Sequence, residues 1–247
     1  MSNETGATGS KSVVKIPSTI RLLLEQIGQF ADAHGVSAYA VGGCVRDWLL
    51  GIPDSLDLDV TVEGQGIVVA RAIGHVLGGS LTVHEQFGTA SLQLTGRRGG
   101  RVDFASCRKE TYARPAAYPK VIAGTMHDDL FRRDFSVNAM AVALRPGQFG
   151  RLVDPFHGAR DLGRQVLRVL HDRSFLDDPS RLLRGVRFAQ RFGLRWERRT
   201  TAAARAAIAQ GALGWLNAGR LRRELDRMCE EPNPVGCLRQ LVWLFAR

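Results

Sequence analysis

A chain of 247 residues that is 45% hydrophobic can bury one large core or two small ones, and its formal net charge of +10 points to a polyanionic partner, nucleic acid first. Arginine far outnumbers lysine, so an arginine-rich bias is the other source of that charge. No apolar run is long enough to cross a bilayer and no membrane partner is expected, and the four cysteines at 44, 107, 229 and 237 have neither zinc spacing nor a C-x-x-C pair, so reduced thiols and a cytoplasmic location are expected.

Met1 to Lys11 is small and polar and lacks the apolar centre of a signal peptide; residues 1–14 are expected to form a disordered leader. Ile20, Leu23, Leu24, Ile27 and Phe30 fall on one side of an amphipathic helix over 17–34. Ser37 to Val41 reads as a buried strand that ends in Gly42-Gly43, after which Val45 to Leu50 resumes a helical pattern. Leu56 to Val62 alternates as a second strand, and Gly66 to Leu77 reads as a helix. Leu81 to Val83, Ala90 to Leu94 and Val102 to Ala105 read as strands, with Gly96 to Gly100 a hairpin loop between the last two. Residues 108 to 128 show little periodicity and are expected to be a flexible loop long enough to suspect function. Val137 to Leu144 is an apolar run compatible with helix or strand. Beyond about residue 160 strand signals vanish and arginine-rich helical segments take over. The division is therefore a mixed α/β unit over 15–160 and a helical one over 161–247, joined between Asp154 and Gly163.

The chemistry is concentrated at Gly42-Gly43-Cys44-Val45-Arg46-Asp47 and Asp57-Leu58-Asp59. Glycines let a backbone turn tightly and approach a ligand, and a turn that opens a helix aims N–H groups at phosphate. Arg46, in the first turn, can pair with a phosphate oxygen. Residues two apart on a strand share a face, so Asp57 and Asp59 aim the same way while Leu58 and Val60 point to the core. Adjacent carboxylates repel unless a cation neutralises them, and magnesium is the usual cation in phosphate chemistry, with manganese the alternative. Gly-Gly turns and exposed Asp-x-Asp strands are each common; the combination at this spacing points to a nucleoside triphosphate and its metal. Asp103, in Val102-Asp103-Phe104, reads either as a third carboxylate of the same sheet or as the structural partner of an arginine. Arg108, which follows that strand, is a candidate triphosphate contact.

Two further segments are Arg132-Arg133-Asp134-Phe135-Ser136-Val137-Asn138-Ala139-Met140 and Asp177-Asp178-Pro179-Ser180-Arg181-Leu182-Leu183-Arg184-Gly185-Val186-Arg187-Phe188. Pro179 suits the first helical position and Asp178 the cap before it, so Asp178 is either a helix cap or an acceptor for a base amino group. Arg181, Arg184 and Arg187 recur every three residues, as a solvated basic face or as base and phosphate recognition.

With VGGCVRD, DLDV, RRDFSVNAMA, DPFHGARDL and DDPSRLLRGVRF in this order over roughly 38–192, the chain resembles the class II tRNA nucleotidyltransferase and bacterial poly(A) polymerase family. NAGRLRRELDRM is a weaker echo of its helical neck. The resemblance implies an α+β fold: a nucleotidyltransferase (polymerase-β-like) mixed-sheet head followed by an all-helical neck. It implies catalytic metals on Asp57 and Asp59, and nucleotide contacts from Gly42, Gly43 and Arg46. It further implies a ribose site at Arg133 and Asp134, base reading by Asp178 and Arg181, and more contacts from Arg184 and Arg187. Asp154 to Leu162 matches the hinge. The activity implied is addition of CMP, AMP or both to a tRNA 3′ end from CTP and ATP; a poly(A) polymerase of the same family, or a non-catalytic RNA- or nucleotide-binding module, are the alternatives. A carboxylate accepts from an exocyclic amine and an arginine donates to ring acceptors, which admits cytosine and adenine. Two departures stand out. Asp177 takes the place where the family usually has Glu, and the chain stops at Arg247 where relatives continue into further helices, so Pro234 to Ala246 is expected to begin a truncated body.

Overall fold

The computed structural model describes residues 12–52, 57–95 and 99–246. Helix α1 (Ser18–Ala33) buries Ile20, Leu24, Ile27 and Ala31, the apolar stripe expected of a helix on a sheet. It leads into β1 (Ser37–Val41), α2 (Gly43–Leu50), β2 (Asp57–Glu63) and α3 (Gly66–Leu77). Strands β3 (Ser80–His84), β4 (Thr89–Leu94) and β5 (Gly100–Ser106) follow, then β6 (Arg108–Thr111), β7 (Lys120–Ala123) and α4 (Met126–Phe131). Short strands β8 (Ala141–Ala143) and β9 (Leu152–Val153) are next. After them come α5 (Gly158–Gly163), β10 (Val166–Leu167), α6 (Ser174–Asp177), α7 (Ser180–Phe192), β11 (Arg195–Trp196), α8 (Arg198–Ala209), α9 (Ala218–Cys229) and α10 (Pro234–Phe245).

Seven strands form one mixed sheet in the order β3-β4-β5-β2-β1-β8-β9. Within it only the central pair β2–β5 is parallel. Its register sets Asp57 beside Arg101 and Asp59 beside Asp103. The alternation expected of β2 holds, with Leu58 and Val60 buried and both aspartates open to the other face. Leu56 and residues 96–98 of the expected hairpin loop lie outside the described residues, as do residues 1–11 of the expected leader. Of that leader's last residues, Val13 bridges to Arg151 and Val14 is buried, its N–H donating to Gly150, because the apolar Val13-Val14 pair finds the sheet's β8–β9 edge.

Three expectations change. Residues 108–128, expected to be a flexible loop, contain the antiparallel β6–β7 hairpin and the start of α4; the Thr125–Asp128 capping box fixes where α4 begins. The run 137–144 is neither one helix nor one strand: a short 3₁₀ turn at Ser136–Asn138 gives way to β8. The helical half also holds a small parallel sheet, β10–β11, which ties the segment before α6 to the end of α7. The apolar core runs without a break from the sheet into the helices. Phe135 is the junction, with the Phe175 and Phe188 ring centroids 6.4 and 6.1 Å from its own.

Candidate active site

The open face of the sheet, the β6–β7 hairpin and α7 enclose a cleft of about 720 Å³. Seven arginines and five carboxylates line it, so its walls keep a positive excess and suit a polyphosphate. Gly42, Gly43, Arg46, Arg133, Asp134, Asp178, Arg181 and Arg184 all meet there, together with Asp59, Asp103 and Arg108. Asp57 shares the face of Asp59 at the start of β2, but it does not line the cleft wall. Arg187 is not brought to the cleft. It is buried and paired with Glu224 and Glu231, both at 3.1 Å, because an arginine held under helix packing needs carboxylates more than a free nucleotide contact.

The glycine turn is structurally required. Gly42 has φ 78° and ψ −129°, and a Cβ there would stand 2.6 Å from Arg133 Nη1 and 3.8 Å from Asp59 Oδ2. Turn, arginine and carboxylate therefore converge on one point. Arg46 is buried behind it. It donates to Asn138 Oδ1 at 2.6 Å and to Asp47 Oδ1 at 2.9 Å, and its guanidinium lies 4.2 Å from the Phe192 ring. Cys44, beside the turn, donates its thiol to the Val41 carbonyl; burial, reinforced by Asp59, pushes that thiol up to about 12 and makes it a packing group rather than a nucleophile.

Asp59 faces the cleft yet is walled by protein. Desolvation raises its carboxyl above the usual range; Arg133 opposes the shift, and Asp103 and Asp57 add to it. Asp103 stands beside Asp59 in the register, and it is the structural partner of an arginine, accepting from Arg101 as well as from Ser91 Oγ at 2.5 Å. The donor set fits a divalent cation of the magnesium kind. Among the described residues no group of three or more His, Cys, Asp or Glu is arranged to hold a metal alone. Two carboxylates with crowded negative charge are what such an ion takes from a protein, its remaining positions going to water and phosphate oxygens.

The opposite wall is differently built. Asp134 is buried, and burial pushes its carboxyl up. Arg184, which donates Nε at 2.8 Å and Nη2 at 2.5 Å, overrides this together with Asn138 and holds it at about 2. Asp129, fully buried, accepts from Arg132 at 2.8 Å and Arg133 at 3.1 Å; these two outweigh its desolvation and lower its pKa. Glu110 holds Arg108 and Arg132, while burial, followed by Arg132, lowers the Arg108 pKa. Arg181 is buried and donates to Ser174 Oγ and to the Arg132 carbonyl, both at 2.6 Å. Asp178 caps α7 through Ser180 N–H at 3.0 Å and also receives Arg220 at 2.6 Å. The three-residue arginine spacing thus makes neither a solvated face nor a free basic strip; each guanidinium is already bonded within the protein.

Asp129, Glu110, Arg132, Asn138 and Arg220 are the site residues that sequence reasoning passed over. One signal was present: Asp129 stands four residues before Arg133, the spacing at which helical side chains meet. Arg220 gave none, since its partner Asp178 is 42 residues away in sequence.

Residues 38–168 match the family model described as the poly A polymerase head domain. The chain belongs to the poly A polymerase head domain family. It is 42% identical over 227 residues to an A-adding tRNA nucleotidyltransferase of Halalkalibacterium halodurans, covering 90% of this chain and 52% of the relative. To a CC-adding tRNA nucleotidyltransferase of Deinococcus radiodurans it is 40% identical over 201 residues, 81% of this chain and 52% of the relative. A CCA-adding enzyme in an apo form superposes with a TM-score of 0.86 at 42% identity, over 93% of this chain and 53% of that one. A CCA-adding enzyme in complex with ATP gives 0.83 at 41%, over 93% and 52%. The chain spans about half the length of these relatives of the head domain family. No helix among the described residues is long and apolar enough to cross a membrane.

Proposed function

We propose that this chain is the catalytic part of a template-independent tRNA nucleotidyltransferase that adds CMP, AMP or both to a tRNA 3′ end, in the cytoplasm, from CTP and ATP. The observation that carries the reading is the convergence of Gly42, Asp59 and Arg133 on a cleft that Asp178 and Arg181 also line. The first group suits a triphosphate, the second a base edge. Names of the relatives, A-adding and CC-adding tRNA nucleotidyltransferases, support it.

Asp57 and Asp59, with Asp103 beside them, are the residues that would hold magnesium or manganese. Such an ion, when bound, lowers the pKa of the attacking 3′ hydroxyl and offsets charge developing on the phosphorus oxygens. The chain's own residues do the rest. Gly42 and Gly43 keep the turn thin enough for phosphate to approach. Arg46 and Arg133, braced by Asn138 and Asp129, supply fixed positive charge where the pyrophosphate leaves. Arg108 adds to it from the hairpin. Asp134 clamps Arg184 and Asn138, shaping the sugar-side wall. Asp178 accepts from the exocyclic amine of cytosine or adenine and Arg181 donates to a ring acceptor, in place of a nucleic-acid template. The head, 15–160, supplies the metal and phosphate residues, and the helices from 161 on supply base reading. Holding substrate and fixed charges in one geometry is the main source of rate, since no covalent intermediate is needed.

The deciding experiment incubates the protein with magnesium, each labelled nucleotide and tRNAs ending at successive 3′ positions. Incorporation of one to three nucleotides is expected. Long A tails would instead mark a poly(A) polymerase, and no incorporation on any primer would leave a binding module.

A further inference from the structure

We propose that Arg220, on α9, is a specificity-determining positioning residue: it fixes the orientation of the Asp178 carboxylate and thereby sets which bases are admitted. The inference rests on the base-reading role proposed above for Asp178.

Asp178 has extended backbone (φ −137°, ψ 93°) just before α7. Its Oδ1 takes three donors: Ser180 N–H at 3.0 Å, Ser180 Oγ at 2.6 Å and Arg220 Nη2 at 2.6 Å. The first two belong to its own helix cap. The third comes from another helix, 42 residues on. A carboxylate with one oxygen saturated on the protein side offers the other as acceptor. The neighbouring acid points elsewhere, since Asp177 turns toward Arg173 at 3.6 Å and His171 at 4.0 Å.

Arg220 is itself held in place. Its side chain is only 19% exposed. Asn217 caps α9 by accepting the Arg220 N–H at 2.8 Å, and Asn217 Nδ2 donates to Tyr118 Oη at 3.2 Å. The Tyr118 ring, from the β6–β7 hairpin, lies 6.0 Å from the Arg220 guanidinium. One turn further along α9, Glu224 is buried, accepts from Arg187 at 3.1 Å and lies 4.0 Å from Arg184, so α9 is clamped to α7. This is not a surface ion pair free to open. Without Arg220, Asp178 keeps only its local cap, either oxygen can swing toward the base, and an acceptor of variable position no longer rejects uracil and guanine.

The test is single-nucleotide addition with the whole chain and each of the four nucleoside triphosphates. In Arg220→Ala the kcat/KM ratios of CTP over UTP and of ATP over GTP are expected to fall roughly 10- to 100-fold, the size of a lost charge-assisted hydrogen bond. KM for the correct nucleotide should rise more than kcat falls. Arg220→Lys, which keeps the charge and a donor, should restore part of the ratio and serves as the reading variant if the alanine form does not fold. Wild-type ratios in a cooperatively folded Arg220→Ala, or in Arg220→Lys where only that variant folds, would overturn the inference and leave the proposed function standing. A wild-type protein that adds no nucleotide to any primer would instead remove the function, and this inference with it.

Discussion

The two walls of the cleft treat the same residue type in opposite ways. On the sheet wall Asp59 stands among Asp103 and Asp57 with Arg133 as its main offset, and its carboxyl is raised. On the helix wall Asp134, and behind the cleft Asp129, have almost no solvent exposure, yet both are lowered, Asp134 to about 2. Burial pushes all three upward, so depth does not decide the direction; the number and aim of the cations do. The sheet wall is short of positive charge and ready for an added cation. The helix wall is neutralised within the protein and built before any ligand arrives. The proposed triphosphate and its divalent ion would bring the positive charge that the first wall lacks.

The sharpest break of this contrast is Asp59→Asn. It should lower incorporation by on the order of 10³-fold, the scale on which transition-state charge stabilisation is lost. Thermal stability should hold or rise, because a repelling carboxylate has been removed. A single-turnover assay with a parallel melting curve reads both, and unchanged turnover would remove Asp59 from the reaction.

On the helix wall the large effect is on folding instead. Asp134→Ala strands Arg184 and is expected to cost about 3–5 kcal/mol in denaturant unfolding. The same group predicts an acid limb. Because its folded pKa is below the ordinary 3.8, its stabilisation is complete above about pH 4 and is lost as pH falls toward about 2. That contribution is about 2–3 kcal/mol for a shift of this size. Asp59 has the opposite sign: its raised pKa means that magnesium affinity falls, with decreasing pH, earlier than an ordinary aspartate would cause. A titration of metal affinity at several pH values that shows no such early loss would count against the contrast between the walls.

Gly42→Ala sits where the walls touch. A Cβ at φ 78° is strained and collides with Arg133, so about 1–2 kcal/mol of stability should go, with a rise in nucleotide KM. The smallest effect is expected of Arg101→Ala. Its pair with Asp103 is half exposed and is worth at most about 1 kcal/mol. Its value is diagnostic: freeing Asp103 should tighten magnesium binding if that carboxylate joins Asp59 on the metal, and calorimetry would show it.

Much of this was readable beforehand. The strand-turn-helix at 37–50, the alternation of β2 and the stripe of α1 follow from period and from glycine, which act locally. The hairpin within 108–123 was not readable, because both of its strands are short and one is wholly exposed, so no apolar alternation marks them. Nor was the fate of the arginines. Arg181, Arg184 and Arg187 look equivalent in sequence, yet one donates to a backbone carbonyl, one to Asp134 and one to a pair of glutamates outside the cleft.

By itself, then, the sequence determined which residues could carry charge to a phosphate site and which strand face the paired aspartates take, since side-chain type and strand period depend on neighbours along the chain. Only the tertiary structure decided which charges neutralise one another. Asp59 meeting Asp103, Arg220 meeting Asp178 and Arg187 meeting Glu224 are contacts between distant segments. Electrostatic energy at such contacts depends on separations of a few ångströms that no local pattern encodes.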